Sequence, residues 1–239
     1  MIRIYREAFR YFLTSLPLLI AFSALAKILL WVLEPKSKSA ITLVPLIILA
    51  YYFHRHFLFG EPISLWRHTS AVSAPPVRFG RFFLVNAALL FGPLALGLVL
   101  AFSVLGRPSP DVFVLIFLLL YLLGLSMFGT ALPATVAQDS AYRLSTGLRL
   151  TLSTMWRLVL GPGLVGLASL AATAFGSLLL GKMGFGEHSL VILAFYIVMS
   201  TIGLLSTILA VAVLCEMYRK DRPAPRRDQI PASQAPGLT

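Results

Sequence analysis

The sequence contains few charged residues and a single cysteine. Asp, Glu, Lys and Arg make up 12% of its 239 residues, about half the share of about 25% that is typical of a soluble domain. Apolar residues make up 58%, and a core built from 239 residues cannot hide that much apolar surface from water. Cys215 has no second cysteine with which to form an internal disulfide. The composition therefore excludes an ordinary soluble enzyme, a disordered chain and a disulfide scaffold.

The motifs of common catalytic and cofactor sites are also missing. The sequence has no glycine-rich phosphate loop, no nucleophile elbow and no pair of carboxylates, and Gly161-Pro162-Gly163 lacks the lysine of a P-loop. His54 and His56 are two residues apart, so on a helix they point in different directions and cannot share a metal easily. We therefore predict that the protein is not an enzyme and that it has no catalytic, cofactor-binding or metal site.

Long uncharged stretches dominate the sequence instead. A bilayer core about 30 Å thick requires about 20 apolar residues in a helix. Residues 82–106, 112–138, 158–181 and 189–215 contain no charged residue and are long enough to span. Residues 11–33, interrupted only by Lys27, and residues 39–53, which run into the interface at His54, bring the number to six. The sequence thus predicts an all-α fold, a polytopic membrane bundle of six transmembrane helices.

The first stretch has a second interpretation. Arg3, Arg6 and Arg10 precede an apolar run that reaches Ala24-Leu25-Ala26, which is the pattern of a cleavable signal peptide. Because the apolar run continues through residues 28–33, a spanning helix explains the sequence better.

Basic residues are divided unequally between the alternate loops of this six-span arrangement. One side carries 15 of the 20 Lys and Arg residues, the other side carries four, and Lys27 lies within the first span. Because basic residues are retained on the cytoplasmic side during insertion, we expect both termini in the cytoplasm. Residues 1–220 would then form the transmembrane domain. Residues 221–239, which are rich in Pro, Ala, Gln and charge, are expected to form a disordered cytoplasmic tail.

The connection between the fourth and fifth spans has the pattern of an interfacial helix. Ser140 is expected to cap a helix that begins at Ala141, with Asp139 near its positive end. Leucines recur along one face of this segment, and Trp156 lies where the next span begins. This pattern predicts a cytoplasmic interfacial helix between helices four and five, with Trp156 at the membrane boundary.

The arginines of the cytoplasmic side are the strongest candidates for binding. Nucleic acid is a poor partner for them because they are scattered among short loops without interleaved aromatic residues. Attraction to anionic lipid headgroups explains them better. The residues predicted to bind lipid or a partner are Arg55, Arg78, Arg81, Arg143, Arg149, Trp156 and Arg157.

Two polar features allow more than one interpretation. Lys27 is the only charged residue well inside a span; its stem can carry the ammonium to the external interface, or the ammonium can serve a ligand or a proton. His54, Arg55, His56 and Glu61 form the densest polar cluster near a membrane face. Interfacial histidines, with Glu61 paired to a nearby arginine at the surface, explain this cluster simply. An enzyme acting on lipid headgroups is the alternative.

Residues 129–139, with the sequence GTALPATVAQD, together with Leu148-Arg149 and Trp156-Arg157, resemble the membrane domain of glycerophosphodiester phosphodiesterases and its stand-alone, uncharacterised bacterial relatives. The segment HRHFLFGE at residues 54–61 is similar to small membrane proteins of alphaproteobacteria. The resemblance implies a bacterial inner-membrane protein with a six-helix bundle. It does not imply phosphodiesterase activity, because the hydrolase of that family is a separate soluble domain with paired acidic residues and a metal, which this chain lacks.

Together these features predict a non-enzymatic integral protein of the bacterial inner membrane. Its expected role is that of an accessory, assembly or regulatory subunit that binds lipid or another membrane protein. The expected partners are membrane lipids and a larger membrane protein complex, with no nucleic acid. The alternative is a small transporter or channel for a hydrophobic or lipid-like solute, which would use Asn86 and the break at Gly161-Pro162-Gly163.

Overall fold

The computed structural model describes residues 2–32, 38–61, 75–106, 109–185 and 189–221. Within these ranges the chain is all-helical and contains no strand. Residues 222–239, which make up nearly all of the predicted tail, lie outside the described ranges, whereas Asp221 still belongs to the last helix.

Eight α-helices and one short π-helical segment follow each other along the described chain. They are α1 (Ile2–Val32), α2 (Lys38–Phe59), α3 (Phe79–Leu105), α4 (Pro110–Phe128), α5 (Ala131–Val136), α6 (Leu144–Leu158), the π-helical segment Val159–Gly163, α7 (Leu164–Lys182) and α8 (Leu190–Asp221).

Four helical stretches are long and apolar enough to span a membrane, which indicates a membrane protein. They are Ile2–Val32, Phe79–Ser103, Gly147–Lys182 and Leu190–Lys220. Two shorter apolar stretches, Val44–Phe59 and Val112–Phe128, form most of α2 and α4. In their described parts the six predicted stretches are therefore mainly helical, and four helical stretches meet the length and composition of a span.

The predicted stretch 112–138 is not one helix. α4 ends at Phe128, and after a turn at Gly129 and Thr130 the chain forms the separate short helix α5. Five of the six residues of α5 are buried, and this helix packs against α2, α3 and α8. The apolar run is thus long because α5 lies inside the protein, and not because α4 extends further.

The helix after α5 also begins later than the sequence predicts. Ser140 lies in a turn and caps no helix, since α6 begins at Leu144. The cause is Asp139, whose Oδ1 accepts a hydrogen bond from the backbone N–H of Ala141 at 3.0 Å. A side chain that bonds the backbone two residues ahead stabilises a turn, and this turn occupies the residues that a helix would need.

The break predicted at Gly161-Pro162-Gly163 is a single π-helical turn that joins α6 directly to α7. Pro162 has no backbone N–H and its ring crowds the preceding turn, and a wider turn accommodates both effects. The carbonyl of Pro162 accepts a hydrogen bond from Ser206 Oγ on α8 at 2.7 Å. The π-helical segment is therefore bound to α8 and does not act as a loose hinge.

The core is built around the second half of α8. From Ile208 to Tyr218 most of its residues are buried, and α8 packs against α1, α2, α5, α6 and α7. A helix that is apolar on all sides is stable only where other helices or lipid surround it. α7 has no buried residue in the described structure, so it lies at the outside of the bundle.

The outer surface of the bundle is apolar. Large side chains between 59% and 68% exposed occur on three different helices, namely Leu84, Phe102, Leu119, Leu170 and Phe175. A soluble monomer rarely shows large contiguous apolar patches. This surface therefore fits a hydrocarbon environment better than water.

Close packing of α6 against the end of α4 predicts how two glycines respond to substitution. A Cβ at Gly147 would contact the carbonyl oxygen of Met127 and lie 3.0 Å from Thr130 Oγ1. Because backbone cannot easily give way, we expect Gly147→Ala to destabilise the protein by about 1–3 kcal/mol. Gly92→Ala on α3 is the matched control, since a Cβ there meets nothing within 4 Å and alanine favours a helix. The free energy of unfolding in a detergent–SDS titration measures both effects, and equal values for the two variants would contradict the close approach.

Candidate functional site

Polar side chains collect where α2, α6 and α8 end, at the turn after α5 and where α3 begins. We call this set the polar network. Its members are Tyr5, Tyr51, Arg55, Glu61, Gln138, Asp139, Arg157, Glu216, Tyr218 and Arg219. They come from segments that are far apart in the sequence, so only the fold brings them together.

Arg55 and Glu61 form an ion pair that is joined by two parallel hydrogen bonds. Arg55 Nε donates to Glu61 Oε2 at 2.6 Å, and Nη2 donates to Oε1 at 2.7 Å. The third guanidinium nitrogen, Nη1, donates to the carbonyl of Pro75 at 3.0 Å. Such a paired geometry is strong because both partners are charged and two bonds run in parallel. The side chains are 4% and 13% exposed, so the pair is buried and not at the surface as expected.

The segment that leads into α3 is held by three side chains from two elements of the fold. Besides the bond from Arg55, the backbone N–H of Arg78 donates to the hydroxyl of Tyr51 on α2 at 3.2 Å. From the turn after α5, the amide nitrogen of Gln138 donates to the carbonyl of Pro76. Gln138 has a φ of 54°, a left-handed backbone that few residues other than glycine adopt. The chain entering α3 is thereby positioned by side chains from α2 and from the end of α5.

The other half of the polar network ties the end of α8 to its neighbours. Arg157 Nη1 lies 3.2 Å from Glu216 Oε1, and the hydroxyl of Tyr218 donates to Asp139 Oδ2 at 3.0 Å. The hydroxyl of Tyr5 donates to the carbonyl of Arg157 at 2.8 Å, which brings the start of α1 to the same end of the bundle. The polar network therefore joins residues near both ends of the described chain.

Arg219 closes the end of α2. Its Nη2 donates to the carbonyls of Phe57 and Leu58 at 2.6 and 2.9 Å. The last carbonyls of a helix have no partner within the helix, and a basic side chain that bonds them also interacts well with the helix dipole. The end of α8 thus supplies hydrogen-bond donors to the last carbonyls of α2.

The seven residues predicted to bind lipid or a partner occupy two kinds of position. Arg55 is buried and Arg157 is partly buried, and both form ion pairs within the polar network. The other five are exposed, namely Arg78, Arg81, Arg143, Arg149 and Trp156. In the part of the chain that the structure describes, none of these four arginines has a carboxylate within 4.0 Å. These four arginines remain available to an external anion.

The two histidines next to Arg55 face different helices. The ring of His54 packs against Phe82 of α3, and its Nδ1 donates to the carbonyl of Ala50 at 2.8 Å. The ring of His56 stacks on Tyr11 of α1 with 3.7 Å between centroids. The enzyme alternative requires the two imidazoles and the carboxylate of Glu61 to converge, but the rings diverge and Arg55 holds the carboxylate. Among the described residues no group of three or more His, Cys, Asp and Glu could hold a metal ion.

The structure contains a cavity beside Lys27. It has a volume of about 440 Å³ and lies between α1, α7 and α8, with Leu46 of α2 also at its wall. The Nζ of Lys27 lies 5.8 Å from the ring centroid of Tyr196 on α8. The polar residues that line the cavity are Lys27, Ser169, Thr173, Tyr196, Ser200 and Thr207. Of the residues that line this cavity, the sequence pointed only to Lys27. The hydroxyl residues lie in uncharged stretches, where only their helical spacing could have indicated that they share a face.

Comparisons with protein-family models, with curated proteins and with solved structures find no match to this chain. The resemblance to the membrane domain of glycerophosphodiester phosphodiesterases therefore stays a prediction. What the protein does has to follow from its own residues.

The buried ion pair predicts a large effect of removing one partner. Glu61→Gln leaves the guanidinium of Arg55 buried without its counter-charge, which is expected to cost about 3 kcal/mol of unfolding free energy. Glu7→Gln is the matched control, because Glu7 also pairs with an arginine, Arg3, but these two side chains are 58% and 84% exposed. The control should change stability little, since water and salt screen an exposed pair.

Stability is again measured by SDS titration of the purified protein in detergent. A Glu61→Gln variant as stable as the Glu7→Gln variant would show that the Arg55–Glu61 pair does not hold the polar network together.

Proposed function

We propose that this chain is a non-enzymatic integral membrane protein that binds anionic lipid headgroups, or another membrane protein, through the arginines exposed around the polar network. The observation that carries this proposal is the unequal pairing of charges at that end of the bundle. Glu61 and Glu216 are held by Arg55 and Arg157, whereas the four exposed arginines have no carboxylate partner among the described residues. An exposed basic surface beside an apolar one is what attracts anionic headgroups.

The exposed face of α6 supports an interfacial position for this helix. Leu148, Leu152 and Trp156 are spaced four residues apart and are 46%, 66% and 56% exposed. Arg149 lies beside this apolar stripe and is exposed as well. A helix with leucine and tryptophan on one face and arginine next to them is suited to the boundary between headgroups and acyl chains. We infer that this face meets lipid at the cytoplasmic surface.

A six-crossing arrangement with both termini in the cytoplasm accounts best for the positions of the helix ends. α2 has 22 residues and α4 has 19, which correspond to helices about 33 and about 28 Å long at about 1.5 Å per residue. Both lengths are near the bilayer core thickness of about 30 Å. The start of α1 and the end of α8 both contribute to the polar network. We assign this basic end to the cytoplasmic side, and the bacterial inner membrane as the location rests on the resemblance above.

A transporter of hydrophobic or lipid-like solutes is the second candidate function, and the cavity beside Lys27 favours it. Transport would use the break at Gly161-Pro162-Gly163, but this segment is closely packed. Gly161 and Pro162 are buried, and a Cβ at Gly161 would lie 2.6 Å from the ring of Tyr5. Asn86 is part of α3 and does not line the cavity. The binding function therefore requires fewer assumptions than transport.

The topology is testable by labelling engineered cysteines. Cys215 is buried, so a Cys215→Ala background removes the native thiol without changing the surface. In this background, Lys182→Cys at the end of α7 should react with a membrane-impermeant maleimide added to intact spheroplasts. Arg143→Cys, at the start of α6, should react only after permeabilisation. Labelling of both positions from the same side would overturn the arrangement of crossings.

The binding surface is testable by replacing the four exposed arginines together. Each basic residue near a membrane surface contributes about 1 kcal/mol of attraction to anionic lipid. We expect a variant with Gln at positions 78, 81, 143 and 149 to bind phosphatidylglycerol at least tenfold more weakly than the unmodified protein, as measured by native mass spectrometry. The matched control has Lys at the same four positions and should retain most of the affinity, because charge is the main determinant of the attraction.

The same variants separate lipid binding from protein binding. If the exposed arginines bind another membrane protein, that protein should co-purify in mild detergent at constant stoichiometry with the unmodified chain and be lost with the glutamine variant. Unchanged lipid affinity in the glutamine variant, together with isolation of the unmodified chain as a lone monomer, would contradict both versions of the proposal.

A further inference from the structure

We propose that the cavity beside Lys27 binds an amphiphile with a singly charged anionic head and a hydrocarbon chain. This site is separate from the exposed arginines, because its lining residues lie on the parts of α1, α7 and α8 that are remote from the polar network. The proposal therefore goes beyond the function proposed above and does not depend on it.

Among the described residues, the charge of Lys27 has no counter-charge. Lys27 lies on α1, five residues before Val32, and its side chain is partly buried. Within the described ranges no carboxylate lies within 4.0 Å of its ammonium group, and its charged end is near the ring of Tyr196 instead. A cation in an apolar environment is costly, and the face of an aromatic ring compensates only part of that cost. An anionic ligand would supply the counter-charge that the described residues do not provide.

The side chain of Lys27 faces the interior of the bundle. The ammonium lies over a residue of α8, and Lys27 is part of the wall of the cavity. A lysine that only extended to the nearest interface would instead lie alongside its own helix towards Val32. The orientation found therefore favours the ligand interpretation of Lys27 over the interfacial one.

Hydroxyl groups of α8 are placed to complete the site. Tyr196, Ser200, Gly203 and Thr207 all line the cavity, and their spacing of three and four residues puts them on one face of α8. The hydroxyls of Ser200 and Thr207 form no hydrogen bond with any described residue. By contrast, Thr173 donates to the carbonyl of Ser169 at 2.7 Å and is already engaged. Two hydroxyl donors on α8 thus remain available to the oxygens of an anionic head.

The rest of the wall suits a hydrocarbon chain. Its apolar residues include Phe22, Leu30, Leu46, Leu170 and Leu204. The volume of about 440 Å³ is within the range of about 300–1,000 Å³ that is usual for ligand pockets. One ammonium balances one negative charge, and a second charge on the ligand would be left uncompensated in an apolar surrounding. The matching chemistry is a fatty-acid carboxylate or the phosphodiester of a phospholipid.

The proposal is tested with the full chain in phosphatidylcholine nanodiscs and radiolabelled palmitate as the probe. We expect saturable binding that is at least tenfold weaker in Lys27→Met, within about threefold of the unmodified protein in Lys27→Arg, and unchanged in Lys182→Met. Lys182 is the matched control because it also lies near the end of a helix at the end of the bundle remote from the polar network, but is exposed and does not line the cavity. Hexadecanol, which has the chain without the charge, should bind the unmodified protein more weakly than palmitate does.

A second set of measurements identifies the source of the anion and guards against misfolding. Nanodiscs that contain phosphatidylglycerol should reduce palmitate binding if the head is a phospholipid phosphodiester, and should leave it unchanged if the head is a carboxylate.

Palmitate should raise the midpoint of thermal unfolding of the unmodified protein and not that of Lys27→Met, because a ligand stabilises only a state that binds it. A Ser200→Ala, Thr207→Val double variant, which retains Lys27, should bind several-fold more weakly.

Three results would overturn the proposal. The first is equal affinity of the unmodified protein for palmitate and hexadecanol. The second is unchanged affinity in folded Lys27→Met. The third is the absence of binding to palmitate together with the absence of any stabilisation by phosphatidylglycerol. Because the exposed arginines are at the other end of the bundle, none of these results would count against the function proposed for them.

Discussion

Charged side chains in this molecule are stable in only two kinds of place, and the architecture follows from that constraint. The outer faces of the helices are apolar, so a charge must lie at an end of the bundle or inside it beside a partner. Arg55 illustrates the second case, with three hydrogen-bonding nitrogens engaged and almost no exposure. Arg149 illustrates the first case, since it is exposed beside an apolar stripe. Lys27 lies inside the bundle without a carboxylate beside it among the described residues, which is why we regard its surroundings as a binding site.

The last helix organises the rest of the bundle. Its second half is buried on nearly all sides, and its final turns carry Glu216, Tyr218 and Arg219, which reach α6, the turn after α5 and the end of α2. Apolar packing therefore decides which helices meet at α8, and hydrogen bonds decide how their ends are aligned. Apolar contacts have little directional preference, whereas hydrogen bonds have a strong one. The polar network thus fixes how the helix ends are aligned at one end of the bundle.

The sequence predicted the helices well and the roles of individual charges less well. A long uncharged run is a local feature of the sequence, so α1, α3 and α8 could be predicted from composition and length alone. The later start of α6 could not, because it depends on which backbone group Asp139 bonds. Arg55 was grouped with the lipid-facing arginines, yet it pairs with Glu61 in the interior. A sequence shows how many charges a segment carries, but the partner of each charge depends on segments that fold next to it.

By itself, then, the sequence determined that the chain is helical and that its helices are apolar enough for a membrane. These properties follow from hydropathy and from residue counts, which do not depend on contacts between distant segments. Only the tertiary structure decided which arginines are buried in ion pairs and which remain available. It alone brought the hydroxyls of α7 and α8 to the cavity beside Lys27. The physical reason is that electrostatic and hydrogen-bonding partners are selected by distance in space, and helices packed side by side bring together residues that are more than a hundred positions apart in the chain.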